Sequence, residues 1–143
     1  MRIIGLDLGS KTIGVAMSDD LTLTAQVLTS IKRSTLEKDL AAIKGLISEH
    51  SAVELVVGLP INMNGTKGES ARQAEVFIEK LREVLTLKII PWDERLSTVA
   101  AEKILLEGDL SRQKRRKVID RLSAAIILQG YLDSRPRKGD GNL

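Results

Sequence analysis

The opening fourteen residues, Met1-Arg-Ile-Ile-Gly-Leu-Asp7-Leu-Gly9-Ser-Lys-Thr-Ile-Gly14, constrain this chain more than any other stretch. They place one carboxylate, Asp7, inside an apolar strand that runs into a glycine turn and out into a second strand, Ile13 to Met17. Ile3, Ile4, Leu6 and Leu8 suit a strand buried on both faces. An acid at such a position is costly unless something compensates its charge, and a metal ion is a common partner. Gly9 and Gly14 let the backbone turn tightly and let a phosphate come close to it. The pattern points to phosphate chemistry without saying which kind.

Composition narrows the choice. The chain has 143 residues, enough for one domain with a real core, and no cysteine at all. That removes disulfides, zinc–thiolate sites, iron–sulfur clusters and thiol catalysis together. A single histidine, His50, leaves no means to build a histidine triad or a multi-histidine zinc site. A metal would therefore be held by carboxylates, which favours Mg²⁺ or Mn²⁺. No apolar run is long enough to span a membrane and no signal-peptide pattern is present, so a cytoplasmic protein is expected. Residues 1–111 carry 13 basic and 16 acidic side chains, whereas residues 112–143 carry 9 basic and 3 acidic. Five of the six residues from Arg112 to Lys117 are cationic, which suits a polyanionic partner or a solvated helix end equally well. Phe77, Trp92 and Tyr131 are the only aromatic residues, too few for a base-stacking platform.

Periodicity predicts strands at 2–8, 12–18 and 25–31, connected as an antiparallel meander. Ser34-Thr-Leu-Glu37 reads as a capping box opening a helix with Leu36, Leu40, Ile43 and Ile47 on its apolar stripe. A fourth strand, Val53 to Leu59, ends at Pro60, and Asn62-Met-Asn-Gly65 is a turn. Thr66 to Glu69 is expected to cap a second helix whose apolar face is Ala71, Ala74, Ile78, Leu81 and Leu85. A fifth strand, Leu87 to Trp92, leads to Asp93-Glu94-Arg95, then a helix at Ser97 to Leu106 and a final helix at Val118 to Leu132. The tail 133–143 reads as disordered, leaving one domain at 1–132. The sum is an α/β fold: a mixed five-stranded sheet, three antiparallel strands then two parallel, with helices on both faces. This is the order of elements in the ribonuclease H-like fold.

Three acidic positions stand where an acid is least expected. Asp7 is in the first strand, Asp93-Glu94 follows the fifth at its C-terminal edge, and Asp120 interrupts the last helix. Ser123 and Ala124 lie at i+3 and i+4 from Asp120, so small side chains would let that helix approach the sheet, with Leu122 and Ile126 packing beside it. Converging carboxylates repel one another until cations neutralise them. Salt bridges of Asp120 with Arg116 or Arg121, and of Glu94 with Arg95, are the competing structural readings.

Four segments in order resemble the YqgF family of Holliday-junction-resolvase-like nucleases over residues 1–132. They are Ile4-Gly-Leu-Asp-Leu-Gly9, Val57-Gly-Leu-Pro60 with Asn62 and Asn64-Gly65, Asp93-Glu-Arg-Leu-Ser-Thr98, and Asp120 with Ala124-Ala125. The resemblance implies a ribonuclease H-like, metal-dependent nuclease acting in maturation of the 5′ end of pre-16S rRNA, or on branched DNA as a junction resolvase. It implies metal binding and catalysis by Asp7, Glu94 and Asp120, with Asp93 as the alternative to Glu94. It makes the loop from Asn62 to Gly68, Arg72 and Arg95 candidates for holding the phosphate backbone, and Lys114, Arg115 and Lys117 a basic flap near the scissile bond. Leu59-Pro60 stands where the sister resolvases carry an acid. The partner is then a nucleic acid, an rRNA precursor or branched DNA, with monomer and homodimer both open.

Two other classes compete. Asp7-Leu-Gly-Ser-Lys-Thr12 also resembles the phosphate hairpin of actin-like and sugar-kinase ATPases, but those need a second such lobe and the chain has one. A non-catalytic nucleic-acid-binding module would need only the basic C-terminal segment.

Overall fold

A computed structural model of the chain describes residues 1–96 and 111–136, with the backbone alone for 112 and 115–120. Its elements are β1 (Arg2–Leu8), β2 (Thr12–Ser18), β3 (Ala25–Lys32), α1 (Leu36–His50), β4 (Ala52–Leu59), α2 (Glu69–Val84), β5 (Lys88–Asp93) and α3 (Arg112–Ser134). The strands form one sheet in the order β3-β2-β1-β4-β5. β1 pairs antiparallel with β2 and parallel with β4, and β4 pairs parallel with β5. The C-terminal ends of β1, β4 and β5 therefore share one edge of the sheet. The helix expected at 97–106 lies outside the described residues.

Alternation along the strands divides the core in two. Ile4, Leu6, Ile13, Val15, Leu55 and Val57 pack against Ile43 of α1 and Ala74, Phe77, Ile78 and Leu81 of α2. Ile3, Ala16 and Val56 pack on the opposite face against Ala124, Ile127, Leu128, Tyr131 and Leu132 of α3. Helices thus cover both faces. α3 lies close to β1 because Gly5 presents only hydrogen there: a Cβ at that position would stand 2.8 Å from the Leu128 Cβ.

Several boundaries differ from the sequence expectation, each for a local reason. α1 is capped by Thr35, whose hydroxyl accepts from the Lys38 N–H at 3.2 Å. The Ser34 N–H is instead donated to Asp39 Oδ1 at 3.0 Å, so the helix starts one residue late and leaves Leu36 44% exposed. Gly68 is the N-cap of α2, since the Thr66 hydroxyl is engaged with Asn62 and Asn64 inside the loop. Phe77 joins the buried stripe of α2, and Leu85 is its C-cap. α3 begins at Arg112, six residues before the expected start, capped by the Ser111 hydroxyl accepting from Lys114 N–H at 3.3 Å. The cationic run consequently lies in the first part of a helix. Ala124, Ile127, Leu128 and Tyr131 form the buried stripe of α3, in place of Leu122 and Ile126, which are half-buried. The helix also continues through Ser134, and Arg135 pairs with Glu54 at 3.5 Å, so the ordered chain passes the expected limit at 132.

Candidate active site

Asp7 stands near the end of β1 on the face covered by α3. Its neighbour across β2 is Gly14, which leaves the space beside the carboxylate open. Glu94 follows the last residue of β5, and its N–H donates to the Leu59 carbonyl at 3.1 Å, carrying the chain past the end of β4. Ile90, Trp92 and Glu94 have the same strand parity, so Glu94 returns to the α3 face. There it crosses Gly58 of β4. A Cβ at Gly58 would lie 2.5 Å from Glu94 Oε1 and 2.7 Å from Ile127 Cδ1, so a glycine is what lets the side chain reach across one strand. On the far side it is hydrogen-bonded to Asp7.

The electrostatics follow from this contact. Burial, the charge of Asp7, the hydrogen bond to it and the charge of Asp93 push the Glu94 carboxyl up from 4.5 to about 7. Burial and the neighbouring acids thus favour the protonated form of Glu94. Asp93 behaves oppositely. Hydrogen bonds from Arg95 hold its carboxyl below the usual carboxylate range, against an opposing effect of burial. Arg95 Nε lies 3.1 and 3.0 Å from the two Asp93 oxygens, and Nη2 lies 2.6 Å from Oδ2. The two adjacent acids thus separate: Glu94 faces Asp7, while Asp93 is committed to a guanidinium.

Asp120 lies one helical turn before Ala124 on the sheet-facing stripe of α3. A Cβ on Gly14 would sit 3.5 Å from the Ala124 Cβ, which places this part of the helix beside Asp7's neighbour. Asp120 is about 6 Å further along the axis, by helix rise, and its side chain lies outside the described residues. Among the described residues no group of three acidic or histidine side chains is close enough to hold a metal. The donor set that is described, two carboxyls in contact with one raised to about 7, fits a hard divalent cation.

The remaining sequence candidates fall in separate places. Arg95 Nη1 is 3.5 Å from the carbonyls of both Asn62 and Met63, so its donors tie the Asn62–Gly68 loop to the end of β5. Asn62 is an organiser of that loop, donating through Nδ2 to Thr66 Oγ1 at 3.0 Å. Arg72 is exposed on the first turn of α2, and Lys114 is exposed on the first turn of α3. The side chains of Arg115 and Lys117 lie outside the described residues.

Sequence reading missed two features. Gly58 is the first; a glycine inside Val56-Val57-Gly58-Leu59 signals close approach in a strand. The second is the pair Arg33–Asp39. Arg33 Nη1 donates to the Gly9 carbonyl at 2.7 Å and its N–H to the Lys11 carbonyl at 2.9 Å, pinning the turn that follows Asp7. Its guanidinium rests 5.6 Å from the Phe77 ring centre and pairs at 3.7 Å with Asp39, which is 3% exposed. Asp39 falls three residues after Leu36 and four before Ile43, so an acid on an apolar stripe was the available signal.

The arrangement has close structural counterparts. A Thermus thermophilus RuvC in complex with Holliday junction substrate matches with a TM-score of 0.64 at 14% identity, over 94% of this chain and 95% of that one. The fowlpox virus Holliday junction resolvase matches with a TM-score of 0.54 at 13% identity, over 94% of this chain and all of that one, 100%. At these identities the likeness is one of fold, and the fold is ribonuclease H-like. The chain belongs to the RuvX family, described as Holliday junction resolvase, which matches residues 1–134. A Desulforamulus reducens protein named "putative pre-16S rRNA nuclease" is 58% identical over 134 residues, 94% of this chain and 98% of the relative. A Clostridium beijerinckii protein of the same name is 55% identical over 138 residues, 96% of this chain and 100% of the relative. The class is that of nucleases, hydrolases acting on ester bonds.

Proposed function

We propose that this chain hydrolyses phosphodiester bonds in precursor 16S rRNA, with Mg²⁺ or Mn²⁺ held by Asp7, Glu94 and Asp120. The contact between Asp7 and Glu94 across Gly58 carries the reading, because a protein gains nothing in stability from setting one half-buried carboxyl against another. When bound, the divalent ion would neutralise these charges, activate a water and stabilise the leaving oxygen. The chain's own residues supply the rest. Asp7 and Glu94 offer oxygen ligands from two different strands, and Asp120 is carried toward the same edge by α3. The turn held by Arg33 fixes the backbone after Asp7. Arg95 fixes the Asn62–Gly68 loop, and Arg72, Lys114, Arg115 and Lys117 supply positive charge for the phosphate backbone. The expected products are a 5′-phosphate and a 3′-hydroxyl. No described helix is long and apolar enough to cross a membrane, in keeping with work on rRNA in the cytoplasm.

The test compares wild type with Asp7→Asn on labelled pre-16S rRNA, a four-way DNA junction and single-stranded controls, each with Mn²⁺, Mg²⁺ or chelator. Cleavage of the rRNA that disappears in the variant and in chelator is expected. Preference for the junction would make the chain a DNA resolvase, which must then act as a dimer to cut two symmetric strands. Binding without metal-dependent cleavage of anything would make it a binding module.

A further inference from the structure

A cleft of about 620 Å³ opens beside Asp7, over β2 and β3 and under the near end of α3. Its volume falls in the range of about 300–1,000 Å³ typical of ligand pockets. Gly14, directly opposite Asp7, leaves it open toward the carboxylates. The lining includes the hydroxyl residues Thr12, Thr29 and Ser30, all exposed, together with Val27, which is 47% exposed, and Arg121. Thr29 and Ser30 are consecutive in a strand and face opposite ways. The β2–β3 register shifts between Val15 and Ala16, which pair with Thr29 and Val27, so Leu28 is an extra residue, and Val27 and Ser30 fall on the face that Gly14 shares with Asp7. Ser30 therefore turns to the cleft, whereas Thr29, opposite the core residue Val15, falls on the other face of the sheet.

We propose that this cleft reads ribose: Thr12 and Ser30 bond to 2′-hydroxyl groups of an RNA strand that runs from Asp7 toward the β3 edge. This deepens the nuclease reading above and rests on it for the direction of the strand. A hydroxyl both donates and accepts, as does the ribose 2′-OH, so each pair can form in either sense. Neither hydroxyl bonds to a described protein group, so both are available to a ligand. Val27 offers an apolar surface to the sugar, and Arg121 a charge for its phosphates. No aromatic ring lines the cleft, which argues against stacked bases as its occupant. Deoxyribose would leave the hydroxyls with nothing to bind except water.

The test is binding in chelator, where cleavage does not interfere. Fluorescence anisotropy would be measured for single-stranded 12-mers of one sequence as ribo, deoxy and 2′-O-methyl forms. Wild type is expected to prefer the ribo form about tenfold, the size of one or two lost hydrogen bonds, with the 2′-O-methyl form at least as weak as the deoxy. Thr12→Val with Ser30→Ala should bring the ribo and deoxy forms to parity while circular dichroism and Tm stay near wild type, both positions being exposed and valine being at home in a strand. Thr12→Val alone, on β2, should remove part of the preference. Equal binding of ribo and deoxy forms by wild type, or a preference that survives both substitutions, overturns the subsite. Cleavage, assayed separately with Mn²⁺, distinguishes the two readings. Cleavage without ribose preference removes the subsite and keeps the nuclease, whereas ribose-selective binding without cleavage does the reverse.

Discussion

Glu54 and Glu94 meet the same α3-covered face of the sheet at opposite ends, and their surroundings are opposites. Glu54, on β4, accepts from the Tyr131 hydroxyl at 2.7 Å and pairs with Arg135 at 3.5 Å. Arg135 in turn lies 5.6 Å from the Tyr131 ring centre, and Tyr131 meets Trp92 edge-on at 5.9 Å. Every charge there has a partner supplied by the chain. Four residues along β4, about 13 Å by strand rise, Gly58 makes way for Glu94 to reach another acid. A carboxylate matched by phenol and guanidinium belongs to the architecture; one matched by a carboxylate is what the proposed metal site rests on. Asp39 with Arg33 follows the first pattern, so among these acids the Asp7–Glu94 pair stands apart.

The largest effect that separates the two ends is Glu94→Gln. Cleavage should fall by on the order of 10³-fold, the loss typical of removing a preorganised electrostatic group. Stability in chelator should move the other way. The folded-state carboxyl titrates near 7 against 4.5 when free, so its stabilising contribution is complete below 4.5 and is lost as pH rises through 7. Wild type without metal should therefore lose Tm between pH 5 and 8 more steeply than Glu94→Gln, and the variant should be the more stable at pH 8. Mn²⁺ should raise the wild-type Tm more at pH 8 than at pH 5.5 and leave the variant nearly unmoved, as differential scanning fluorimetry would read. A variant destabilised at pH 8 in chelator would end the contrast.

Glu54→Gln is the mirror experiment and a smaller one. The same acid-to-amide change should cost about 1–3 kcal/mol at pH 7, because Arg135 keeps its charge and loses the carboxylate. Urea unfolding measures it. Cleavage per folded molecule should be unchanged, since nothing at this end touches the Asp7–Glu94 pair.

Much of this contrast was legible in the sequence, and what was not has identifiable causes. Sheet order and two-sided burial follow from apolar alternation in β1, β2 and β4 and from antiparallel versus crossover connections. The early start of α3 was not legible: Arg112 to Lys117 has no apolar periodicity, and the helix there rests on the Ser111 cap. Asp7 announced itself as an acid in an apolar strand. Choosing Glu94 over Asp93 needed strand parity, counted from Ile90 and Trp92, together with knowing that Arg95 folds back onto its neighbour. Glu54 gave no signal, because its partners Tyr131 and Arg135 are distant in the chain and the second lay in a stretch that composition assigns to a loose tail.

Tyr131→Phe gives the smallest effect and the sharpest test of how the far end is built. The ring stays, with its contacts to Trp92 and Arg135; only the hydroxyl on Glu54 goes. One hydrogen bond to a charged acceptor sets the loss at about 1–2 kcal/mol at pH 8. Burial, the hydrogen bond to Glu54 and its charge push the phenol from 10 up to about 12, with Arg135 opposing. This contribution is complete below pH 10 and is lost as pH rises through 12, so wild type should lose stability over that window and the variant should not. The wild-type and variant curves of unfolding free energy against pH should converge from pH 9.5 upward. A constant gap would mean that the phenol is held by packing alone and that Glu54 owes its compensation to Arg135.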